Sequence, residues 1–321
     1  MDFQLLTSNL TNPTFLFFLL GVLAFVVKSD LEIPPSSSKF ISLYLLFAIG
    51  FNGGQELSHS EIGPEIWYSL IFGLLISFLI PVYTFYILKR NLSVHDSGAI
   101  AASYGSVSAV TFVAAGSFLE MQKMHFGGHM VAVMALMEAP AIIAGVILIM
   151  RYSDDEKGDH SLKGTLQHSL TNGSVLMVLG SLVIGIIADS KQAEGIRPFT
   201  TEIFKGFLAI FLLEMGITAA KRFSSFRQYG WFATGFAILA PAFNGTLVAL
   251  LSGYITQDPA NRFIFAILAA SASYIAVPAA MKLAAPKADP GLYIPMALGI
   301  SFPFNITIGM PLYMEVIKLT S

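Results

Sequence analysis

The sequence predicts an all-α, polytopic membrane protein: ten transmembrane helices arranged as two inverted five-helix repeats, with interrupted crossing helices in the fourth and ninth spans. Three observations predict it. Of 321 residues, 55% are hydrophobic and only 12% are charged, with a mean hydropathy of +0.70, whereas a soluble domain carries about 25% charged residues. Apolar runs near membrane-spanning length recur along the whole chain. Two clusters also repeat. Ser106-Val107-Ser108 is followed by Ala114-Ala115, and 165 residues later Ser271-Ala272-Ser273 is followed by Ala279-Ala280 at the same spacing.

In chain order the spans fall at 13–28, 37–54, 66–88, 97–118, 129–150, 172–189, 200–220, 229–254, 260–284 and 291–317. The first run, 15–27, follows a stretch with Asp2 and no Lys or Arg. A signal peptide opens on a basic region, so this run reads as a retained span. Five spans per half is an odd number, so the two halves enter the membrane in opposite directions. Further matches lie in register: Gly50-Phe51-Asn52 of span two with Gly216-Ile217-Thr218 of span seven, and Pro140 of span five with Pro303 of span ten, followed after one inserted residue by Gly145 with Gly309. The chain divides into a first repeat, 1–150, a connecting loop, 151–171, that carries Asp154-Asp155-Glu156-Lys157, and a second repeat, 172–321.

Lys and Arg set the orientation. With the connections numbered alternately by side, one side holds Lys28, Lys39, Lys89, Arg90, Arg151, Lys157, Lys163, Lys221, Arg222, Arg227, Lys282 and Lys287. The other, with both termini, holds Lys123, Lys191, Arg197, Lys205, Arg262 and Lys318. The richer side faces the cytoplasm, which leaves both termini outside. A formal net charge of −2 argues against a nucleic-acid partner. With no cysteine, disulfides, thiolate catalysis and iron–sulfur ligation are excluded.

The fourth span concentrates Ser103, Tyr104, Gly105, Ser106, Ser108 and Thr111; the ninth carries Ser271, Ser273 and Tyr274, then Pro278. Proline removes a backbone donor and disturbs a helix one turn earlier, near Tyr274. Gly105 supplies comparable freedom in span four. Two helices broken at mid-depth bring half-helix ends together. Their N-termini suit a small anion, while carbonyl ends and hydroxyls suit sodium. No Lys or Arg lies deep in a span, so an anion depends on dipoles, hydroxyls and a co-bound cation. The competing reading is that these serines only pack helices together.

Glu138, in Leu136-Met137-Glu138-Ala139-Pro140, is an intramembrane carboxylate, costly and functional by default, as sodium ligand, proton carrier or gate. Its repeat-related region carries Asn305 and Thr307. Asn52 and Glu214 are further buried polar candidates, Glu214 equally suited to contacts between helices or subunits. Asn244, after Pro241, reads as satisfying a kinked backbone. His125 and His129 stand at the spacing of a helical zinc pair, but Gly127 and Gly128 intervene and favour an interfacial loop. His160 and His168 read as solvated.

The chain resembles the sodium-dependent bicarbonate transporter family, best known from cyanobacteria, over essentially its whole length. The resemblance rests on Gly50-Phe51-Asn52-Gly53-Gly54, Gly105-Ser106-Val107-Ser108, Glu138-Ala139-Pro140, Ala269-Ala270-Ser271-Ala272-Ser273 with Pro278, and Pro303-Phe304-Asn305 with Pro311-Leu312. It implies a non-enzymatic transporter in the bacterial cytoplasmic membrane. It implies a core domain moving against a scaffold domain, each drawn from both repeats, and sodium-coupled uptake of bicarbonate with no cofactor. It further implies a homotrimer and a PII-like regulatory protein at the cytoplasmic face. On that reading Ser106, Ser108, Ser271, Ser273, Tyr274 and Gly105 frame the anion. Glu138, Thr111, Asn305, Thr307, Ser103 and Asn52 hold or support sodium. The chain departs from the cyanobacterial pattern at Tyr274, Ala276 and Val277, where an acid and small polar residues are expected, and in its shorter central loop. Another small anion such as a monocarboxylate, an anion channel, and a membrane metalloenzyme using His125 and His129 are the alternatives.

Overall fold

The computed structural model describes residues 13–59, 63–153, 173–226 and 230–320. Most of the 151–171 connection, with its acidic run and both of its histidines, lies outside the described residues, as do residues 1–12. All the regular secondary structure of the described residues is helical, without strands. In chain order the helices are α1 (Pro13–Val26), α2 (Pro35–His59), α3 (Pro64–Leu88), α4 (Val94–Gly105), α5 (Ala109–Met121), α6 (His129–Leu136), α7 (Glu138–Tyr152), α8 (Gly173–Ile187), α9 (Ser190–Glu194), α10 (Phe204–Phe226), α11 (Gly230–Leu251), α12 (Pro259–Ala270), α13 (Ala276–Ala284), α14 (Pro290–Ile294), α15 (Phe302–Phe304) and α16 (Met310–Leu319).

Among the described residues, six helical stretches are long and apolar enough to cross a membrane: Pro64–Leu88, Val94–Met121, His129–Tyr152, Pro198–Lys221, Gly230–Tyr254 and Pro290–Leu319. Shorter apolar helices run over Leu16–Val26, Gly173–Ile187 and Pro259–Ala270. Exposed aromatic residues stand at both ends of α11, with Trp231 91% and Tyr254 88% accessible, as expected of rings at two membrane–water interfaces.

Packing sorts the helices into two groups. In one, α1 lies along α10 and α2 along α8. Small residues permit this: a Cβ on Gly216 would strike the Phe18 carbonyl, and one on Gly21 the Leu213 carbonyl. Close backbone approach through small residues is the usual basis of helix association where water supplies no hydrophobic drive. In the other group α3, α4 and α7 pack together, as do α11, α12 and α16, and α12 lies against α5 while α13 lies against α4. Phe118 of α5 stacks on Phe263 of α12 with centroids 5.2 Å apart.

Both serine clusters interrupt helices. α4 stops at Gly105 and α5 starts at Ala109; α12 stops at Ala270 and α13 starts at Ala276. Pro278 falls in the first turn of α13, where its missing N–H costs nothing. Gly105 acts differently from expectation. The positive-φ glycine among the described residues is Gly230, and Gly105 instead allows α4 to approach Pro81 of α3, since a Cβ there would strike the proline ring. The last helical run contains wide π-type turns at Pro295–Ser301 and Asn305–Gly309.

Candidate functional site

The two interruptions are bonded to one another. Ser103 Oγ donates to the Ser273 carbonyl at 2.6 Å, and the Ser273 N–H donates to the Ser103 carbonyl at 2.8 Å. On the other side the Ser108 N–H donates to Ser271 Oγ at 3.0 Å, and Ser271 Oγ donates to the Leu268 carbonyl at 2.9 Å. Ser103 and Leu268, like Ser108 and Ser273, are 165 residues apart, so the Ser271 hydroxyl relays a contact that is direct in the other half. Ser108 caps α5 by accepting the Thr111 N–H at 3.2 Å. Ser273 Oγ faces the Val277 N–H at 3.4 Å.

A cavity of about 1280 Å³ reaches this junction. Ser108, Ala109 and Val110 at the start of α5, Ser273 to Ala276 at the start of α13, and Glu138 all line it. The first N–H groups of a helix have no carbonyl of their own helix to bond, so both half-helices turn positive ends toward this space. Glu138 adds an acidic side chain to the same space: its Oε1 is buried with no hydrogen-bond partner. The far end of the cavity is lined by the exposed Lys28, Lys39 and Lys221. On the α10 wall, Glu214 Oε2 accepts a hydrogen bond from Ser38 Oγ at 2.5 Å.

The expected site residues divide. Ser108, Ser273, Tyr274 and Glu138 line the cavity, whereas Ser106, Ser271, Ser103, Thr111 and Gly105 lie behind it. Ser106 is buried with its hydroxyl unpartnered. Asn305 closes the C-terminal end of α12, its amide donating to the Ala270 carbonyl at 2.8 Å, with Tyr313 Oη 3.1 Å from its oxygen. Thr307 bonds back to the Pro303 carbonyl at 2.7 Å. Asn52 belongs elsewhere: it donates to the Thr200 carbonyl at 3.0 Å and lines a second cavity, of about 220 Å³, with Glu56, Glu120, His125 and Thr201. Phe112 and Val113 also line that second cavity, and Val113 lines the first as well.

Two further expectations change, those on Asn244 and Arg262, while the histidines keep their loop reading. Asn244 accepts from Tyr83, while the Ala237 carbonyl, which Pro241 leaves without its helical N–H, accepts from Ser301 Oγ at 2.6 Å; the serine, not Asn244, serves the proline. His125 stands in a non-helical segment and His129 opens α6, so the pair does not share a helix face. Arg262 is buried inside α12. Its guanidinium donates to the Ala249 carbonyl at 3.0 Å and to Thr320 Oγ1 at 2.6 Å, which ties the end of α16 to the start of α12.

A pocket that opposes two helix N-termini to a carboxylate, between helices of membrane-spanning length, is suited to an anion and a cation together. Comparison with known families agrees. The chain belongs to the Na+-dependent bicarbonate transporter superfamily. The family model matches residues 13–318, which takes in both interruptions and every helix of the cavity. No curated protein compared with the chain is a match. Membership in this superfamily marks the chain as an integral membrane transporter rather than an enzyme, with sodium and bicarbonate as the family's solutes.

Residues that the sequence did not single out are Ser38, partner of Glu214, and Met215, which receives the Tyr274 hydroxyl at 3.7 Å. The Lys205–Glu120 pair, at 2.8 Å, also joins the two groups of helices. Only the α5 cap had a local signal, a serine three residues before Thr111 at a helix start.

Proposed function

We propose that the chain carries bicarbonate into the cell with sodium, by alternating access of a moving core (α3 to α7 and α11 to α16) against a scaffold (α1, α2, α8 and α10). One observation carries this reading: two half-helix N-termini and an unpartnered intramembrane carboxylate converge on one cavity. Ser108, Ser273 and the first-turn N–H groups of α5 and α13 bind the anion. Glu138 contributes to the sodium shell. Ser103, Ser106, Ser271, Thr111, Gly105, Asn305 and Thr307 shape and support the half-helix ends. Sodium offsets the anion's charge and completes the site, so that neither solute alone favours movement of the core.

The ten-span inverted repeat is part of the proposal, and packing supports it. Exchanging spans at an offset near 165 residues turns α3 on α4 into α11 on α12, α4 on α7 into α12 on α16, and α2 on α8 into α10 on α1. The same exchange relates two bonds at helix starts. Asp96 Oδ1 accepts the Asp289 N–H at 2.8 Å, and Asn261 Oδ1 accepts the Gly127 N–H at 2.7 Å. With the lysine-rich side in the cytoplasm, the large cavity opens inward, so this is an inward-facing state. The second cavity, with Asn52, is then the closed outer vestibule, sealed from the site at Val113. The wider reading places the protein in a bacterial cytoplasmic membrane with both termini outside, as a homotrimer that a PII-like partner regulates from the cytoplasmic face.

In proteoliposomes, uptake of labelled bicarbonate should require an inward sodium gradient. Uptake unchanged when choline replaces sodium overturns the coupling. Tyr274 in the cavity wall favours a second cargo, an organic monocarboxylate, which competition by a panel of small anions separates from bicarbonate.

A further inference from the structure

Tyr274 stands between two walls. Its backbone lies in the ninth-span interruption beside Ser273, and its ring meets Phe302 edge-on with centroids 6.4 Å apart. Its hydroxyl crosses to the scaffold, where it donates to the Met215 sulfur of α10 at 3.7 Å. The side chain is 9% exposed, and Tyr274, Met215, Ser108 and Ser273 all line the large cavity. A thioether is a weak acceptor, and a hydrogen bond to an ionised oxygen is about twice as strong as one between neutral groups. The phenol, which also shares a hydrogen bond with the Ser108 hydroxyl, is therefore a good donor with a poor acceptor across the core–scaffold boundary, beside the space that an oxyanion would occupy.

Resting on the transport reading above, we infer that the Tyr274–Met215 contact is a catch that holds the empty, inward-facing core. A carbonate- or carboxylate-type oxyanion against the α5 and α13 N-termini takes the phenol proton as a hydrogen bond and undoes the tie. A loaded core then returns readily and an empty core returns slowly. Tyr274 thus serves twice, as a ligand that favours an oxygen-bearing anion and as the element that makes empty return the slow step of net uptake.

The experiment compares net uptake with equilibrium exchange of labelled bicarbonate in proteoliposomes, sodium being present on both sides for exchange. Wild type should exchange faster than it takes up. Met215→Leu, which keeps volume and removes the acceptor, should raise the maximal rate of net uptake about threefold and leave KM unchanged. Tyr274→Phe should raise that rate likewise and also raise KM about tenfold, having lost a bond to the anion. The inference is overturned if wild-type exchange is no faster than uptake, or if Met215→Leu leaves their ratio unaltered. It is also overturned if Met215→Leu raises KM as much as Tyr274→Phe, the mark of simple packing. Should Tyr274→Phe fail to fold, the Met215→Leu ratio decides alone. Wild-type protein without sodium-dependent uptake overturns the transport reading itself, a result distinct from normal uptake by unaltered variants.

Discussion

Ser103 and Ser273, 170 residues apart in the chain, hold each other by two hydrogen bonds, hydroxyl to carbonyl at 2.6 Å and N–H to carbonyl at 2.8 Å. The pairing answers a physical requirement. Interrupting a helix inside a bilayer frees backbone groups that water cannot reach, and these interruptions persist because each half satisfies part of the other. Ser103 is accordingly a clasp between the half-helices, while Ser273 presents its side chain to the cavity.

These two serines should separate under mutation. Ser103→Ala leaves the buried Ser273 carbonyl short of a donor, at a cost of about 1–3 kcal/mol. The thermal midpoint in detergent should fall together with transport. Ser273→Ala removes only a long contact to the Val277 N–H, so stability should hold while the KM for bicarbonate rises. Ser108→Ala should show both effects, because it loses the α5 cap, worth about 0.5–2 kcal/mol, as well as the cavity hydroxyl. Thermal unfolding and KM, measured on the same preparations, test the three together; unchanged KM in both Ser108→Ala and Ser273→Ala would make their hydroxyls mere packing.

Glu138→Gln keeps the shape of the side chain and removes its charge. If the unpartnered Oε1 is a sodium ligand, half-maximal uptake should need at least about tenfold more sodium, the loss of one charged oxygen from the shell. The protein should fold as well as wild type or better, because an intramembrane charge is costly. A sodium titration of uptake reads this directly. A wild-type sodium response would return Glu138 to a packing or gating role.

How much of this was legible in the sequence depends on what the bilayer enforces. Apolar runs must be long and hydrophobic, so the helices could be read from composition. The interruptions could be read too, because serine clusters and Pro278 mark where a helix gives way. The choice among serines could not. Ser106 and Ser108 are two residues apart, yet only Ser108 meets the cavity, since three non-helical residues decide which way each points. Asn52 matched span seven in register, yet helix packing carries it to the opposite cavity. The burial of Arg262 depends on Thr320 and Ala249, distant in sequence, and no local pattern announces such partners.

The crossing of α1 and α10 offers a stability test away from the cavity. A Cβ on Gly216 would meet the Phe18 backbone, which has no flexible end to move aside. Gly216→Leu should therefore abolish monodisperse protein in size-exclusion chromatography, and Gly216→Ala should lower the thermal midpoint. Gly206, whose added Cβ would meet open space, is the control, and Gly206→Ala should leave the profile unaltered. Equal behaviour of the two alanine variants would mean that the scaffold helices do not depend on close backbone contact.

Lys205 of α10 and Glu120 of α5 meet at 2.8 Å beside the smaller cavity, with side chains 62% and 44% exposed. So exposed a pair contributes little to folding, about 0–1 kcal/mol, and Glu120→Gln should leave the thermal midpoint nearly unchanged. In the proposed mechanism its position matters more, because it joins scaffold to core on the side that opens for bicarbonate to reach Ser108. The chain has no native cysteine, so Lys205→Cys with Glu120→Cys provides a clean pair for a short thiol cross-linker. Cross-linked protein should stop net uptake and exchange alike, while either single variant treated with the same reagent should retain both. A linker that a reductant cleaves should restore them. Full transport by the cross-linked protein would show that α5 and α10 keep their relative positions through the cycle, and the moving core would then have to be sought among other helices.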